Sequence, residues 1–328
     1  MKILISGGAG YIGSHTLRQF LKTKHEICVL DNFSKGSLKS LEDLQSIRNF
    51  SIFNQDLSDF DGIKALLKEQ KFDAVVHFAA SIEVFESMQN PLKYYLNNTA
   101  NTSNLILSCL ESGTNKFIFS STAAVYGEPK TPIVSEESPL NPINPYGFSK
   151  LMSEQVLRDT SRANPSFKHC ILRYFNVAGA CMDFALGQRY ANATLLIKVA
   201  AQVACGKRDK LLIYGDDYET KDGTCVRDFI HVDDISNAHL SALEYLENNK
   251  SDVFNVGYGH GFSVKEVIET MKEVSGVDFK TELAPRRAGD PSILISNANK
   301  IKEKTSWQPK FDDLGLICKS AFEWEKQC

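Results

Sequence analysis

Short, nearly unbroken apolar runs alternate with longer amphipathic stretches through the first half of the chain. Segments Lys2–Ser6, Glu26–Asp31, 50–54, 73–78, 116–121 and Lys168–Tyr174 are rich in Ile, Val and Phe, the composition of strands buried on both faces. Between them, 13–22, 61–68, 91–112 and 147–160 carry apolar residues at helical spacing. This alternation predicts an α/β fold with a doubly wound parallel sheet. Past Asn176 the rhythm breaks. Residues 178–189 read as a loop and 195–205 as a helix, while 216–227 is a polar excursion expected near a ligand. Segments 229–232 and 253–256 are strand-like and are expected to return to the main sheet, and Val264–Ser275 and Leu314–Lys326 read as helices. The pattern implies a larger domain, 1–176 plus about 228–262, and a smaller ligand-binding lobe, 177–227 plus about 263–328.

Composition narrows the class. Of 328 residues, 43% are hydrophobic and 23% charged, as in an ordinary folded protein. The net charge of −3 offers no basic field for nucleic acid or an anionic membrane. No apolar run approaches the roughly 20 residues of a membrane span, and the N-terminus turns polar too soon for a signal peptide. A cytoplasmic protein is expected. The eight cysteines form no Cys-x-x-Cys pair and have no histidine cluster beside them, so they read as reduced thiols and no metal site is expected.

The first strand runs directly into Gly7-Gly8-Ala9-Gly10-Tyr11-Ile12-Gly13, which opens a helix. Glycines at 7, 10 and 13 permit a tight turn and let a pyrophosphate approach the backbone at the helix N-terminus. Asp31 ends the second strand, eighteen residues past Gly13. A carboxylate there accepts the adenosine ribose hydroxyls and repels a 2′-phosphate, so NAD is favoured over NADP, with nearby Lys35 softening that preference. Asp56-Leu57, after the third strand, falls at the adenine edge; by itself, without the rest of the pattern, Asp56 reads better as a helix cap. The larger domain is thus expected to be a Rossmann unit.

Tyr146-Gly147-Phe148-Ser149-Lys150 is the second signal, since residues four apart share one helix face. An ammonium beside a phenol favours the phenolate, which lets tyrosine exchange a proton with an alcohol while hydride moves to nicotinamide. The pair lies downstream of the dinucleotide turn and after the strand carrying Ser120-Ser121-Thr122, a setting in which it reads as catalytic and not as a solvated helix face.

At this point the chain resembles, over essentially its whole length, the NAD-dependent UDP-hexose 4-epimerases of the extended short-chain dehydrogenase group. The matching stretches are 7–14, 31–32, 77–80, 91–98, 119–127, 144–150, 172–176, 222–232 and 284–290. In detail it is most similar to bacterial enzymes acting on both UDP-N-acetylglucosamine (UDP-GlcNAc) and UDP-glucose. The resemblance implies that Thr122 bonds the reacting sugar hydroxyl, that Tyr146 is the base and that Lys150 activates it and anchors the nicotinamide ribose. It places Gly7, Gly10, Tyr11, Ile12, Gly13, Asp31, Asn32, Phe33, Ser34, Lys35, Gly36, Asp56, Leu57, Phe78, Ala79, Ala80, Ile82, Asn97 and Phe175 along NAD. Asn176, Arg227, Arg287, Asp290 and Leu294 fall on the nucleotide-sugar side, where arginine forks suit a diphosphate. The implied reaction removes the C4 hydroxyl proton through Tyr146 as hydride leaves C4, turns over a transient 4-keto sugar, and returns hydride to the opposite face. A symmetric homodimer is implied through helices 91–112 and 147–160, with Leu105, Leu110, Leu151 and Val156 as candidate contacts.

Three departures bear on this reading. Ile82 stands where glucose-type members often have a phosphate-binding lysine, and Leu195 replaces an Asn or His before the helix at Leu196. Leu294 aligns with a tyrosine that closes the sugar pocket in glucose-restricted members, so N-acetylated substrates are expected too. UDP-glucose-only and UDP-pentose epimerisation are the near alternatives. A 4,6-dehydratase would carry Asp-Glu after Thr122, where this chain has Ala123-Ala124, and a dinucleotide-sensing regulator would have no use for Thr122, Tyr146 and Lys150 together. His15 and His77 are expected to be structural or to position the cofactor.

Overall fold

The six strands expected in the first half all form in the computed structural model, which describes residues 1–287 and 289–328. They are β1 (Lys2–Ser6), β2 (Glu26–Asp31), β3 (Ser51–Asn54), β4 (Ala74–His77), β5 (Lys116–Thr122) and β6 (Lys168–Tyr174). A seventh, β7 (Asp252–Val256), joins one edge, and all pair in parallel in the order β7-β6-β5-β4-β1-β2-β3.

Alternation of side chains explains the unbroken apolar runs. Ile3, Ile5, Val29, Val76, Ile118 and Leu172 enter one core, while Leu4, Cys28, Leu30, Val75, Phe117 and Ile171 enter the other. Over the first face lie α1 (Tyr11–Leu21) and α5 (Val232–Asn248), packed on each other. The second face is covered by α2 (Phe60–Gln70), α3 (Asn101–Ser112) and α4 (Pro145–Ala163). Each fully buried Ile, Leu or Phe contributes about 1.5–3 kcal/mol, so these two filled faces carry most of the stability. Polar residues set the helix ends. Asp59 caps α2 through the Gly62 N–H, and Asn144 caps α4 through the Gly147 N–H with Pro145 at its first turn.

The expected helix 91–112 is broken. A turn of α-helix at Pro91–Tyr94 widens into a π-helical segment at Tyr95–Ala100 before α3 begins. The distortion lets Asn98 reach Ser81 and Ser149 while Asn97 faces the cleft described below. Among the described residues four α-helices, Leu38–Gln45, Val84–Gln89, α5 and Asn299–Lys304, lie outside the sequence expectation.

The smaller lobe packs helices Leu196–Ala204, Val264–Ser275 and Leu314–Lys326 together beside small sheets. One sheet has four strands, Phe262–Ser263, Val226–Arg227, Ile293–Ser296 and Ile133–Val134, the last borrowed from the larger half. Leu211–Tyr214 pairs with Thr281–Ala284 in another. Residues 229–232 do not rejoin the main sheet as expected. Phe229–His231 pairs with Asn176–Ala178 instead, because β7 already occupies the edge beside β6. All eight cysteines are free thiols, and six of them are buried. Among the described residues no helix is long and apolar enough to cross a membrane.

Candidate active site

A cleft of about 730 Å³ runs along the carboxyl ends of β1 to β6 and continues against the smaller lobe, where a doubly wound sheet binds its ligands. Its first wall is the glycine turn. A Cβ on Gly13 would lie 2.1 Å from the Gly7 carbonyl oxygen and one on Gly7 2.5 Å from Ala79 N, so only glycine closes this turn. At Gly10 nothing but the Gly7 oxygen, at 3.3 Å, comes near, and the bare backbone faces the cleft. The helix α1 has no side-chain cap, and its first intrahelical bond comes from Ser14 N, to Gly10 O. Tyr11, Ile12 and Gly13 therefore present free amides at the positive end of a helix, a seat for a pyrophosphate.

Asp31 lies at the tip of β2, where it accepts Ala9 N and Phe33 N, each at 2.9 Å. Burial pushes its carboxyl above the usual range, and the two amides pull it back. Asn32, Ser34, Lys35, Gly36, Asp56 and Leu57 line the same end of the cleft. Asp56 is not a helix cap, a role that Asp59 takes; it accepts Ser58 N and the Asn32 amide, and bonds from Ser58 first and then Asn32 lower its pKa. Phe78, Ala79, Ala80, Ile82, Asn97 and Phe175 complete this wall of the cleft. Lys35 is ion-paired with Glu83, so its charge is partly neutralised there. Phe33 departs from expectation. It adopts a left-handed φ of 57° and packs its ring on the hydrophobic core, outside the cleft wall.

The chemical centre joins α4 to β5. Tyr146, Lys150 and Thr122 all line the cleft. Lys150 Nζ donates to Ser120 O at 2.7 Å, and Thr122 Oγ1 accepts Ala124 N at 3.1 Å. Sequence reasoning has Lys150 holding the Tyr146 phenol low, but burial sets the direction instead. It raises the phenol above its ordinary value, with the Thr122 hydroxyl opposing, and it lowers the Lys150 amine to about 7 against the pull of Glu154. Behind this pair, Glu154 accepts Ser121 Oγ at 2.6 Å and Arg173 Nη2 at 2.7 Å, which ties the helix to the strand.

Across the cleft stand Asn176, Arg227, Asp290 and Leu294. Arg227 and Leu294 are partners on adjacent parallel strands, and Arg227 Nη2 lies 3.8 Å from Asp290 Oδ1. Arg287 is not in the wall, because its guanidinium stacks 3.8 Å over the Tyr214 ring. Of the polar excursion 216–227, only Arg227 reaches the cleft. Leu195 does line it, as the residue preceding helix Leu196–Ala204.

The two histidines are structural. His77 bonds Ser6 Oγ at 2.6 Å and Thr102 Oγ1 at 2.8 Å, and burial lowers its pKa to about 3. His15 is fully buried with Nδ1 2.9 Å from Asp233, away from the wall. Sequence reasoning missed Gln55, Ser81, Asn144, Tyr174 and Tyr190, all in the wall. Of these, Asn144 was readable as the cap before Pro145; the others are brought in by pairing and loop packing.

Residues 3–257 match the NAD dependent epimerase/dehydratase family. The chain belongs to that family. A UDP-glucose 4-epimerase of Azospirillum brasilense is 45% identical over 326 residues, spanning 99% of this chain and 92% of that protein. The UDP-Glc/GlcNAc 4-epimerase structure from Campylobacter jejuni is 79% identical with a TM-score of 0.88, covering 100% of this chain and 99% of that one. UDP-glucose 4-epimerase from Bifidobacterium longum, in complex with NAD+ and UDP, is 35% identical with a TM-score of 0.95, covering 100% and 98%. The residues of this NAD-dependent epimerase/dehydratase fit its cofactor. Free amides at Tyr11 to Gly13 suit the pyrophosphate, Asp31 suits the adenosine ribose, and Lys150 stands beside Tyr146 at the far end.

Proposed function

We propose that this NAD-dependent UDP-sugar 4-epimerase interconverts UDP-GlcNAc with UDP-GalNAc as well as UDP-glucose with UDP-galactose. The observation that carries the wider range is Leu294. It lies in the cleft wall, packed with Ala123, Val125, Tyr126, Val134 and Phe175, where a tyrosine would project a ring and hydroxyl into the sugar space. The relative at 79% identity is described as acting on both sugars, in support.

When bound, NAD supplies reversible hydride acceptance at sugar C4. The remaining work falls to the chain. Thr122 and Tyr146 hold the C4 hydroxyl, and Tyr146 moves its proton with the near-neutral Lys150 amine behind it. Arg227, with Asn176 and Asp290, holds the UDP end while the 4-keto sugar turns over. Dehydration is disfavoured. Among the described residues the carboxylates of the cleft wall are Asp31, Asp56, Glu83 and Asp290, and none follows Thr122.

The selectivity argument is tested by Leu294→Tyr. Overpacking of about 1–3 kcal/mol against the acetamide should lower turnover of UDP-GlcNAc by tenfold or more relative to UDP-glucose. An equal loss on both substrates would reject it.

The protein is further proposed to be a symmetric homodimer through the helices of residues 91–112 and α4, with different contacts from those expected. Leu105 is buried in the core, Leu110 and Val156 are part-buried against it, and Leu151 is part-buried against the separate cluster of Ala123, Val125 and Tyr126. The exposed apolar side chains on these two neighbouring helices are Leu92, Leu96, Leu107, Phe148 and Met152. A second copy applying the same two helices would cover that stripe.

A further inference from the structure

We propose that Asn144 selects the N-acetylated substrate by donating a hydrogen bond from its side-chain amide to the acetamide carbonyl. The proposal rests on the reading that UDP-GlcNAc is turned over.

Asn144 lies in the cleft wall and is only 4% exposed. Its Oδ1 accepts Gly147 N at 2.9 Å as the cap of α4. That bond fixes which way round the amide sits: the oxygen is committed to the helix, so Nδ2 is the free end. Among the described residues nothing accepts a hydrogen bond from Nδ2. The surface it faces is Gly289, also in the wall, where an added Cβ would lie 3.8 Å from Nδ2. Nearly buried amide donors ordinarily find acceptors, and Asn144 lines the cleft that receives the ligand.

The surroundings say what kind of acceptor fits. Ala124, Ile143 and Leu294 in the same wall are apolar, and Gly289 keeps the opposite side bare. A surface with one fixed donor among small apolar groups complements an acetamide, which offers one methyl and one carbonyl oxygen. The carbonyl oxygen stands three bonds from C2 of the sugar, whereas the hydroxyl of UDP-glucose stands one bond away and lacks the methyl. The contact therefore discriminates at C2, from the side of the catalytic helix, while Leu294 leaves the room for it.

Two substitutions isolate the donor from the cap, since serine and aspartate cap helices as well as asparagine does. Asn144→Ser removes the amide, and Asn144→Asp keeps the shape but presents only acceptor oxygens. The readout is the ratio of kcat/KM for UDP-GlcNAc to kcat/KM for UDP-glucose, measured on the NAD-containing protein, with Tm recorded alongside. The ratio should fall about tenfold or more in the serine variant and further in the aspartate variant, as for a site that loses its hydrogen-bond partner. A ratio unchanged in both variants, with the two substrates falling together, would leave Asn144 as a helix cap alone and overturn the proposal. A wild-type protein inactive on UDP-GlcNAc would overturn the substrate reading beneath it, and that outcome is visible without any variant.

Discussion

Tyr146 shows how a single side chain is set by its neighbours. Four residues separate it from Lys150 on α4, and the Lys150 amine is anchored on a β5 carbonyl. Burial raises the phenol and lowers the amine, so their proton affinities are driven apart and the proton rests more firmly on Tyr146 than on Lys150. Replacing Tyr146 with Phe removes the proton carrier with little change in volume. Turnover should drop roughly 10²- to 10⁴-fold, the usual range for general acid–base catalysis, with the circular dichroism spectrum unchanged. Near-normal turnover in that variant would remove Tyr146 as the base. The triad of Thr122, Tyr146 and Lys150 was legible in the sequence because spacing alone puts the last two on one face. The direction of the Tyr146 shift was not, since burial depends on the whole cleft. Phe33 and Arg287 were misplaced for a related reason: a left-handed backbone turn and a cation–π stack redirect side chains in ways a motif does not record.

Among the elements, the glycine turn and α1 were read correctly because their constraint is local. A Cβ at Gly13 would collide with backbone, which cannot swing aside as a side chain can. Gly13→Ala should therefore cost about 1–3 kcal/mol of stability and yield protein purified with little bound NAD, measured by Tm and by ultraviolet absorbance of released cofactor. Full NAD content would contradict the role given to this turn. The exposed stripe on the helix pair makes a second prediction. Leu96→Glu with Met152→Glu should convert the dimer to a monomer at micromolar concentration in light scattering, and a wild-type monomer would refute the assembly outright. The helix α5 was overlooked even though Val232, Ile235, His239, Ala242, Leu243 and Leu246 recur on one buried face with two aspartates in the first turn. The π-helical segment and the pairing of Phe229–His231 with Asn176–Ala178 depend on partners distant in sequence, and no local pattern announces them.

At the scale of the whole molecule, the parallel order of the sheet aligns six strand ends along one cleft, and the smaller lobe closes its far side. The two halves are tied directly. The Tyr11 hydroxyl donates to Gly179 O at 2.5 Å, Arg189 pairs with Asp43 at 2.9 Å, and Ile133–Val134 pairs with Ile295 and Ser296. The fold class was legible from the strand–helix alternation, whereas the sheets of the smaller lobe join short segments far apart in the chain. In the proposed cycle NAD stays bound and ends each turnover oxidised, as it began. The most direct test supplies the purified protein with UDP-glucose and no added cofactor and follows the sugar by proton NMR while assaying NAD released from the protein. UDP-galactose should form, with the bound cofactor still oxidised and in its starting amount. A 4-keto-6-deoxy product, reduced cofactor rising in step with turnover, or no epimer from protein that contains NAD would contradict the account.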